Sequence, residues 1–152
     1  MHPIVTELEK NNIDKIKLGI FDIDGVMRGK YINMNKFISA IDKGFGFCDV
    51  VFGWDIADEL YDKPSVTGWH TGYPDATVRI LPESCREIPW EDNMLFFLGE
   101  FDGQHELVCP RAVLRKIINK AKNSKKSTPR FVFICSPVVC VFKSDQRVKH
   151  WT

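Results

Sequence analysis

The sequence lacks any apolar run long enough to cross a membrane. Its longest apolar runs, residues 131–135 and 138–142 among them, are far shorter than the roughly 20 residues that a membrane-spanning helix needs. The first residues also lack the basic segment followed by an apolar one that is typical of a secretory signal. These two absences predict a protein without a membrane partner.

Recognisable cysteine motifs are missing as well. The five cysteines are odd in number and scattered, and none forms a Cys-x-x-Cys pair or a zinc-spaced cluster with histidine. Cysteines of this kind are typical of reduced thiols in the cytoplasm. We therefore predict a cytoplasmic protein with no metal site in this chain.

A strong charge of either sign is also absent, since the net charge of the 152 residues is +1. The charge is nevertheless unevenly placed. Eight of the 21 basic residues lie from Lys120 onward, where Asp145 is the single acidic residue, and acidic residues predominate before Lys120. An acidic body with a short basic tail is a poor match for nucleic acid, so we expect no nucleic-acid partner and interpret the tail as a solvated end.

The apolar pattern of the chain predicts an α+β domain. Strands are expected at 16–23, 26–32, 45–54, 77–81 and 94–101, a turn at 82–89, a short extended piece at 106–109, and a strand-like segment broken by Pro137 at 131–142. Helices are expected at 4–11, at 35–43 before Gly44, and at 112–121 after Pro110. A long ordered loop is expected at 57–75, where loops of such length are more often functional than idle. This order predicts a mixed sheet with an N-terminal hairpin and a crossing helix, an α+β roll.

The Asp-Ile-Asp-Gly motif at Asp22 and Asp24 supports two hypotheses. The motif resembles that of haloacid-dehalogenase-type phosphatases, in which the first aspartate is a nucleophile and the second an acid/base beside Mg²⁺. Such an enzyme also needs alternating β and α units, whereas clustered strands and a long aromatic loop follow residue 43. In the other hypothesis, Asp24-Gly25 is a hairpin turn, for which this dipeptide is a strong signal.

Six short motifs, taken in order, indicate another family. They are Arg28-Gly29-Lys30, Lys36-Phe37, Phe52-Gly53-Trp54-Asp55, Gly72-Tyr73-Pro74-Asp75, Ile88-Pro89-Trp90 and Cys109-Pro110-Arg111-Ala112-Val113-Leu114. Over residues 16–119 they resemble the N-terminal β-grasp domain of the glutamine synthetase family, in the branch of γ-glutamyl-polyamine synthetases. Each motif alone is weak, but the six at these distances are fairly specific.

The resemblance implies an ATP-dependent ligase that joins glutamate to ammonia or an amine. ATP and two or three Mg²⁺ or Mn²⁺ ions would belong to a larger catalytic domain. The β-grasp domain would complete the site of a neighbouring subunit in a homo-oligomeric ring. It would supply an aspartate that helps to take a proton from the incoming ammonium, and an aromatic residue near the nucleotide.

Carried onto this sequence, that aspartate matches Asp55, where a carboxylate could stabilise a cationic nucleophile and accept its proton. The alternative is that Asp55 caps the following turn. Trp54 is the candidate aromatic surface, or else a core or interface residue. His70 could touch a ligand or stabilise its loop by a hydrogen bond. We expect Arg28 and Lys30, which could reach a phosphate, to be solvated instead.

The chain departs from the family in two places. Bacterial glutamine synthetases show Asp-Gly-Ser-Ser where this chain has Asp55-Ile56-Ala57-Asp58, which favours an amine acceptor. The family also places a Glu-x-Glu strand after the helix at Pro110, yet residues 131–142 contain no acidic residue. We therefore expect a β-grasp domain at 1–109, a helix and linker at 110–124, and an atypical basic tail at 125–152, truncated before the catalytic domain.

A chain of this kind is expected to be inactive alone, since it has neither a phosphate-binding glycine loop nor a His-Glu-x-x-His motif. A further hypothesis is that it acts as a non-catalytic interaction module, which docks on a ligase ring through a sheet edge and the aromatic loop.

Overall fold

The structure is a computed structural model that describes residues 2–123, together with the backbone of residues 132–135 and 138–141. The chain divides into two compact units, Met1–Arg115 and Lys116–Thr152. The predicted Pro137 break and most of the predicted basic tail lie outside the described residues. The predicted division at 109 and 124 stays a prediction.

The first unit carries one five-stranded sheet. The helices are α1 (Pro3–Lys10), α2 (Met34–Lys43) and α3 (Pro110–Asn123), and the strands are β1 (Lys15–Phe21), β2 (Met27–Asn33), β3 (Phe45–Cys48), β4 (Asp75–Glu87), β5 (Leu95–Phe101), β6 (Val132–Cys135) and β7 (Val138–Val141). Two 3-10 helices cover Asp49–Phe52 and Gly103–Leu107. In the second unit, β6 and β7 pair as antiparallel strands.

The strand order in the first sheet is β2-β1-β5-β4-β3. The central pair β1 and β5 is parallel, and the other neighbours are antiparallel. Helix α2 packs against β1, β2 and β4. This mixed sheet with an N-terminal hairpin and a packed helix confirms the predicted α+β, β-grasp-like roll.

The hydrophobic core joins residues of the sheet to residues of α1, α2, the first 3-10 helix and the start of α3. Ile16, Leu18 and Ile20 alternate along β1 and are completely buried, because successive side chains of a strand point to opposite faces. Phe37 of α2 meets Phe97 of β5 with 4.9 Å between the ring centroids. Burial of a side chain of this kind contributes about 1.5–3 kcal/mol relative to its exposed state.

Asn33 and Gly44 set the two ends of α2, and the predicted end at Gly44 is confirmed. Asn33 Oδ1 accepts a hydrogen bond from the Lys36 amide at 2.8 Å, which satisfies a free amide of the first turn. Gly44 has a φ of +76° and ends the helix, since a residue with a side chain rarely adopts that conformation. The turn between β1 and β2 places Gly25 at a φ of +81° and confirms the predicted hairpin.

The predicted strand at 45–54 is too long. β3 ends at Cys48, and residues 49–52 form a 3-10 helix. The amide of Asp49 donates to the carbonyl oxygen of Pro74 at 3.0 Å, just beyond the last β3–β4 pair. The carboxylate of Asp49 is buried and accepts a hydrogen bond from the Thr67 hydroxyl.

The predicted turn at 82–89 is also wrong, because β4 continues through Pro82 to Glu87. The pairing with β5 shifts register between Leu81 and Arg86. Within the shift, Ser84 Oγ donates to the Leu81 carbonyl at 2.6 Å and accepts from the Leu98 amide at 2.8 Å. The serine hydroxyl thus replaces ladder hydrogen bonds at a point where proline has no amide hydrogen.

The short extended piece predicted at 106–109 is wrong as well, since Gly103–Leu107 forms a 3-10 helix. Asp102 begins it, with its carboxylate accepting from the Gly103 amide at 2.8 Å. The helix predicted at 112–121 is confirmed as α3, which starts at Pro110. Among the described residues, no helix combines the length and apolar character needed to cross a membrane.

Candidate functional site

Asp55 begins a tight turn at the start of the long loop between β3 and β4. Its Oδ1 accepts hydrogen bonds from the amides of Ala57 at 2.8 Å and Glu59 at 3.0 Å. Its own amide donates to the Glu59 carbonyl at 3.0 Å. Asp55 therefore caps residues 55–59, which we name the Asp55 turn, and the capping alternative is confirmed.

The second carboxylate oxygen of Asp55 is differently placed. Within residues 2–123, no hydrogen bond or ion pair engages Oδ2, and the side chain is half-buried. Both oxygens of an ionised carboxylate accept hydrogen bonds, so Oδ2 has acceptor capacity for a ligand while Oδ1 caps the turn. Capping and a chemical role are thus compatible at Asp55, and the chemical role stays a prediction.

Arg28 of β2 reaches the Asp55 turn from the hairpin. Its Nε lies 2.8 Å from Oδ2 of Asp22, and its Nη1 lies 2.6 Å from Oδ1 of Asp58. Its Nη2 is 3.5 Å from the carbonyl oxygen of Asp55. The hydrogen bond to Asp22 raises the pKa of Arg28, and the bond to Asp58 adds to this effect. The expectation that Arg28 is solvated is therefore wrong.

Lys30, two residues further along β2, is also held by the protein. Its ammonium donates to the Gly46 carbonyl at 2.6 Å and lies 5.0 Å from the ring centroids of Phe45 and Phe47. Burial lowers the pKa of Lys30. Its contacts with β3 show that this lysine, too, is not simply solvated.

Asp22 is completely buried, and both of its carboxylate oxygens are engaged. Oδ1 accepts from the amides of Asp24 at 3.1 Å and Val26 at 2.7 Å, and Oδ2 accepts from Arg28. A nucleophile must reach its phosphate, which this carboxylate cannot do. Asp24 is exposed in the hairpin turn, 3.4 Å from the hydroxyl of Tyr61. The geometry therefore gives no support to the phosphatase hypothesis.

Trp54 is half-buried and packs against the hydrophobic core. The guanidinium carbon of Arg28 lies 5.0 Å from the centroid of its ring, so one face of the indole is covered. Its indole nitrogen is buried without a hydrogen-bond partner within residues 2–123. These contacts give Trp54 a packing role, and its predicted contact with substrate stays a prediction.

His70 is exposed in the long loop. The turn around it is closed by Thr71, whose hydroxyl donates to the Gly68 carbonyl at 2.9 Å and accepts from the Gly68 amide at 3.1 Å. Within residues 2–123, no hydrogen bond or ion pair joins His70 to the Asp55 turn. A ligand contact by His70 stays a prediction.

A buried polar contact anchors the long loop to the domain. Thr67 Oγ1 donates to Asp49 Oδ1 at 2.6 Å, and Asp49 Oδ2 lies 3.2 Å from Nε2 of His105. All three residues are buried. Sequence reasoning missed this group because its members are up to 56 positions apart and share no motif.

The surface of the loop is rich in exposed hydrophobic residues. Trp69 is 81% exposed and Ile56 is 72% exposed, and three further side chains are exposed there, namely Leu60, Tyr61 and Val66. Large exposed apolar patches mark interaction sites, whereas single exposed apolar side chains are normal at a protein surface. In the described part of the chain, no three His, Cys, Asp or Glu side chains are grouped so that they could hold a metal ion.

No model of a protein family matches the chain, but individual proteins do. Type-1 glutamine synthetase 2 of Dictyostelium discoideum is 43% identical over 120 residues, which cover 77% of this chain and 23% of that protein. The glutamate–isopropylamine ligase of a Pseudomonas species is 39% identical over 122 residues, covering 76% of this chain and 26% of the ligase. Over the matched residues, the chain belongs to the glutamine synthetase family.

Solved structures show the same fold for this glutamine synthetase-family chain. The GmaS/ADP complex superposes with a TM-score of 0.60 at 17% identity and covers 80% of this chain and 26% of that one. Plasmodium falciparum glutamine synthetase gives a TM-score of 0.56 at 16% identity, with coverages of 79% and 22%. The chain spans about a quarter of the length of the curated relatives it matches.

Proposed function

We propose that this chain is the N-terminal domain of an ATP-dependent ligase that joins glutamate to ammonia or an amine. In this proposal, the Asp55 turn enters the active site of a neighbouring subunit in a homo-oligomeric ring. There Asp55 stabilises the cationic nucleophile and accepts its proton. One observation carries the proposal: Oδ1 of Asp55 is held by two amides, while Oδ2 has no partner within residues 2–123.

The names of the relatives support the proposed reaction class. One matched protein is a glutamine synthetase and another is a glutamate–isopropylamine ligase. ATP and Mg²⁺ or Mn²⁺ would be held by the catalytic domain of such a ligase. The described residues of this chain do not fit a metal ion, because they contain no suitable group of side chains. We therefore assign the chain no step that a metal performs.

We also propose that the protein is located in the cytoplasm. The cysteines in the described part of the chain, Cys48, Cys85 and Cys109, are free thiols, which supports a reducing compartment.

The proposal is tested first on the purified chain alone. With ATP, Mg²⁺, glutamate and isopropylamine, we expect ADP to form at the background rate. Robust turnover would contradict the dependence on a separate catalytic domain.

The second test adds the chain to a relative that supplies that domain. The Dictyostelium enzyme is produced without the region that aligns with this chain, and light scattering measures whether the two associate. We expect association and a gain in ADP formation. The gain should be lost with the Asp55→Asn chain and kept with Asp62→Asn, an exposed aspartate further along the loop.

A non-catalytic interaction module is the second candidate function. The exposed side chains of Ile56 and Trp69 favour it, because they offer apolar surface to a partner. In the same mixture, this function predicts association with no difference between the Asp55→Asn chain and the unmodified chain. The two candidates therefore give different results in one experiment.

A further inference from the structure

The Asp55 turn is closed by its own backbone, but a side chain from another element ties it to the sheet. The Tyr61 amide donates to the Gly53 carbonyl at 2.9 Å, and Trp54 pairs with Leu60 as an isolated bridge. These contacts close the base of the turn. Neither contact joins the turn to the β1–β2 hairpin.

Arg28 makes that connection through one guanidinium group. It contacts Asp58 and the carbonyl of Asp55 in the turn, and it lies over the ring of Trp54 at the base of the turn. Its side chain is only 20% exposed. Arginine is suited to this task because its planar group presents several donors in a fixed arrangement.

Asp22 fixes Arg28 in turn. The aspartate has no exposed surface, and its Oδ1 is held by two backbone amides of the hairpin turn. Its Oδ2 is thereby fixed at 2.8 Å from Nε of Arg28. A buried carboxylate needs such a partner, because an unpaired buried charge is strongly unfavourable.

We propose that Arg28 is a positioning residue for Asp55 and that Asp22 holds it in place, an inference that rests on the proposed function of Asp55. The chain of contacts runs from the backbone of the hairpin turn to Asp22, then to Arg28, and then to the Asp55 turn. Asp22 of the Asp-x-Asp-Gly motif thus has a structural role in holding the Asp55 turn.

Amide exchange with solvent, measured by NMR on the full chain, tests the positioning. The reporters are the amides of Ala57 and Glu59, which donate to Asp55 Oδ1. In Arg28→Gln we expect both to exchange faster by on the order of tenfold, because the turn opens locally without global unfolding. Because Arg28→Gln also leaves the buried Asp22 without its cation, amides of the core strands, such as those of Leu18 and Phe97, report any global loss of stability, and the acceleration at the two reporters should exceed the acceleration at these core amides.

Two further variants keep the test decisive. Lys30→Gln removes the neighbouring cation on the same strand and should leave both reporters unchanged. Asp58→Asn removes the exposed partner of Arg28 at a residue with a φ of +65°, which asparagine tolerates, and should speed exchange by roughly threefold. If Arg28→Gln does not fold, Asp58→Asn carries the test. Unchanged exchange in the folded variants would overturn the proposal.

ADP formation in the mixture of this chain with the truncated Dictyostelium enzyme provides a second readout, which a purely structural role of Arg28 would not change. Arg28→Gln should associate with the partner as the unmodified chain does but restore ADP formation about tenfold less well. Arg28→Lys keeps the positive charge but loses the planar group with several donors. It should recover less than half of the ADP formation that Arg28→Gln loses. If the unmodified chain restores nothing, the role of Asp55 fails while the exchange result stands. If it restores activity and Arg28→Gln does so equally well, only the positioning role fails.

Discussion

The hydroxyl of Thr67 donates to the carboxylate of Asp49 across 2.6 Å, and both side chains are buried. Because Asp49 also contacts His105, the pair connects the long loop to two 3-10 helices. The loop that begins near Asp55 is therefore anchored at a second point, well along its length. Thr67 is buried, while Trp69 and Ile56 of the same loop are exposed at the surface.

Replacing Thr67 by valine should destabilise the chain by about 1–3 kcal/mol, since it leaves an oxygen of buried Asp49 without its donor. Urea denaturation followed by tryptophan fluorescence measures the change. Thr67→Ser is the matched control, because it keeps the hydroxyl and should lose much less stability. Equal stability of the valine and serine variants would show that the hydrogen bond contributes little.

Asp55 can be separated into a structural and a chemical part. Asp55→Asn keeps an oxygen for the Ala57 and Glu59 amides and should unfold close to the unmodified chain. Asp55→Ala removes both hydrogen bonds and should lose about 1 kcal/mol. The free energy of unfolding of the two variants tests this, and a destabilised asparagine variant would contradict it.

The contact between Phe37 and Phe97 should dominate the packing of α2 on the sheet. Both rings are completely buried, so Phe37→Ala should lower the free energy of unfolding by about 3–5 kcal/mol. Trp90→Ala serves as the control at a side chain that is 81% exposed and should change stability by less than about 0.5 kcal/mol. Similar effects at the two positions would refute the packing argument.

Acid should weaken the ion pair between Lys17 and Glu91 and so reveal its contribution to the free energy of unfolding. The hydrogen bond from Lys17 lowers the pKa of Glu91 from its ordinary value of 4.5, with a further bond from Tyr31. The folded state therefore favours the ionised carboxylate, and the resulting stabilisation is complete above pH 4.5 and lost as the pH falls through the lowered pKa.

The test compares the urea midpoints of the unmodified chain and Glu91→Gln from pH 6 to pH 3. The difference between them should shrink as the pH falls below 4.5. Glu9→Gln, at an exposed position of α1, should show no such trend. A difference that stays constant or grows in acid would contradict the role of the Glu91–Lys17 pair.

Local signals in the sequence predicted most of the elements. The Asp24-Gly25 turn and the end of α2 at Gly44 were predicted because the conformations they need are favourable for few residue types. The extent of β4 could not be predicted in this way. Pro82 indicates a turn when it is judged by itself, yet Ser84 supplies hydrogen bonds that let the strand continue.

The candidate site was predicted only in outline. The sequence pointed to Asp55 through family resemblance and left its capping role open. It did not predict the partners of Arg28, because Asp22 and Asp55 lie 6 and 27 positions away along the chain. The sequence of a strand does not show whether its basic residues are exposed or buried, because their burial depends on which other segments lie beside the strand.

The sequence by itself determined the α+β class, the hairpin, the helices and the family, because periodicity, turn chemistry and a series of motifs are written in neighbouring residues. Only the tertiary structure decided that Asp22 is a buried anchor for Arg28, and that Thr67 holds the loop to Asp49. The physical reason is that burial and charge pairing depend on which distant segments the sheet brings together.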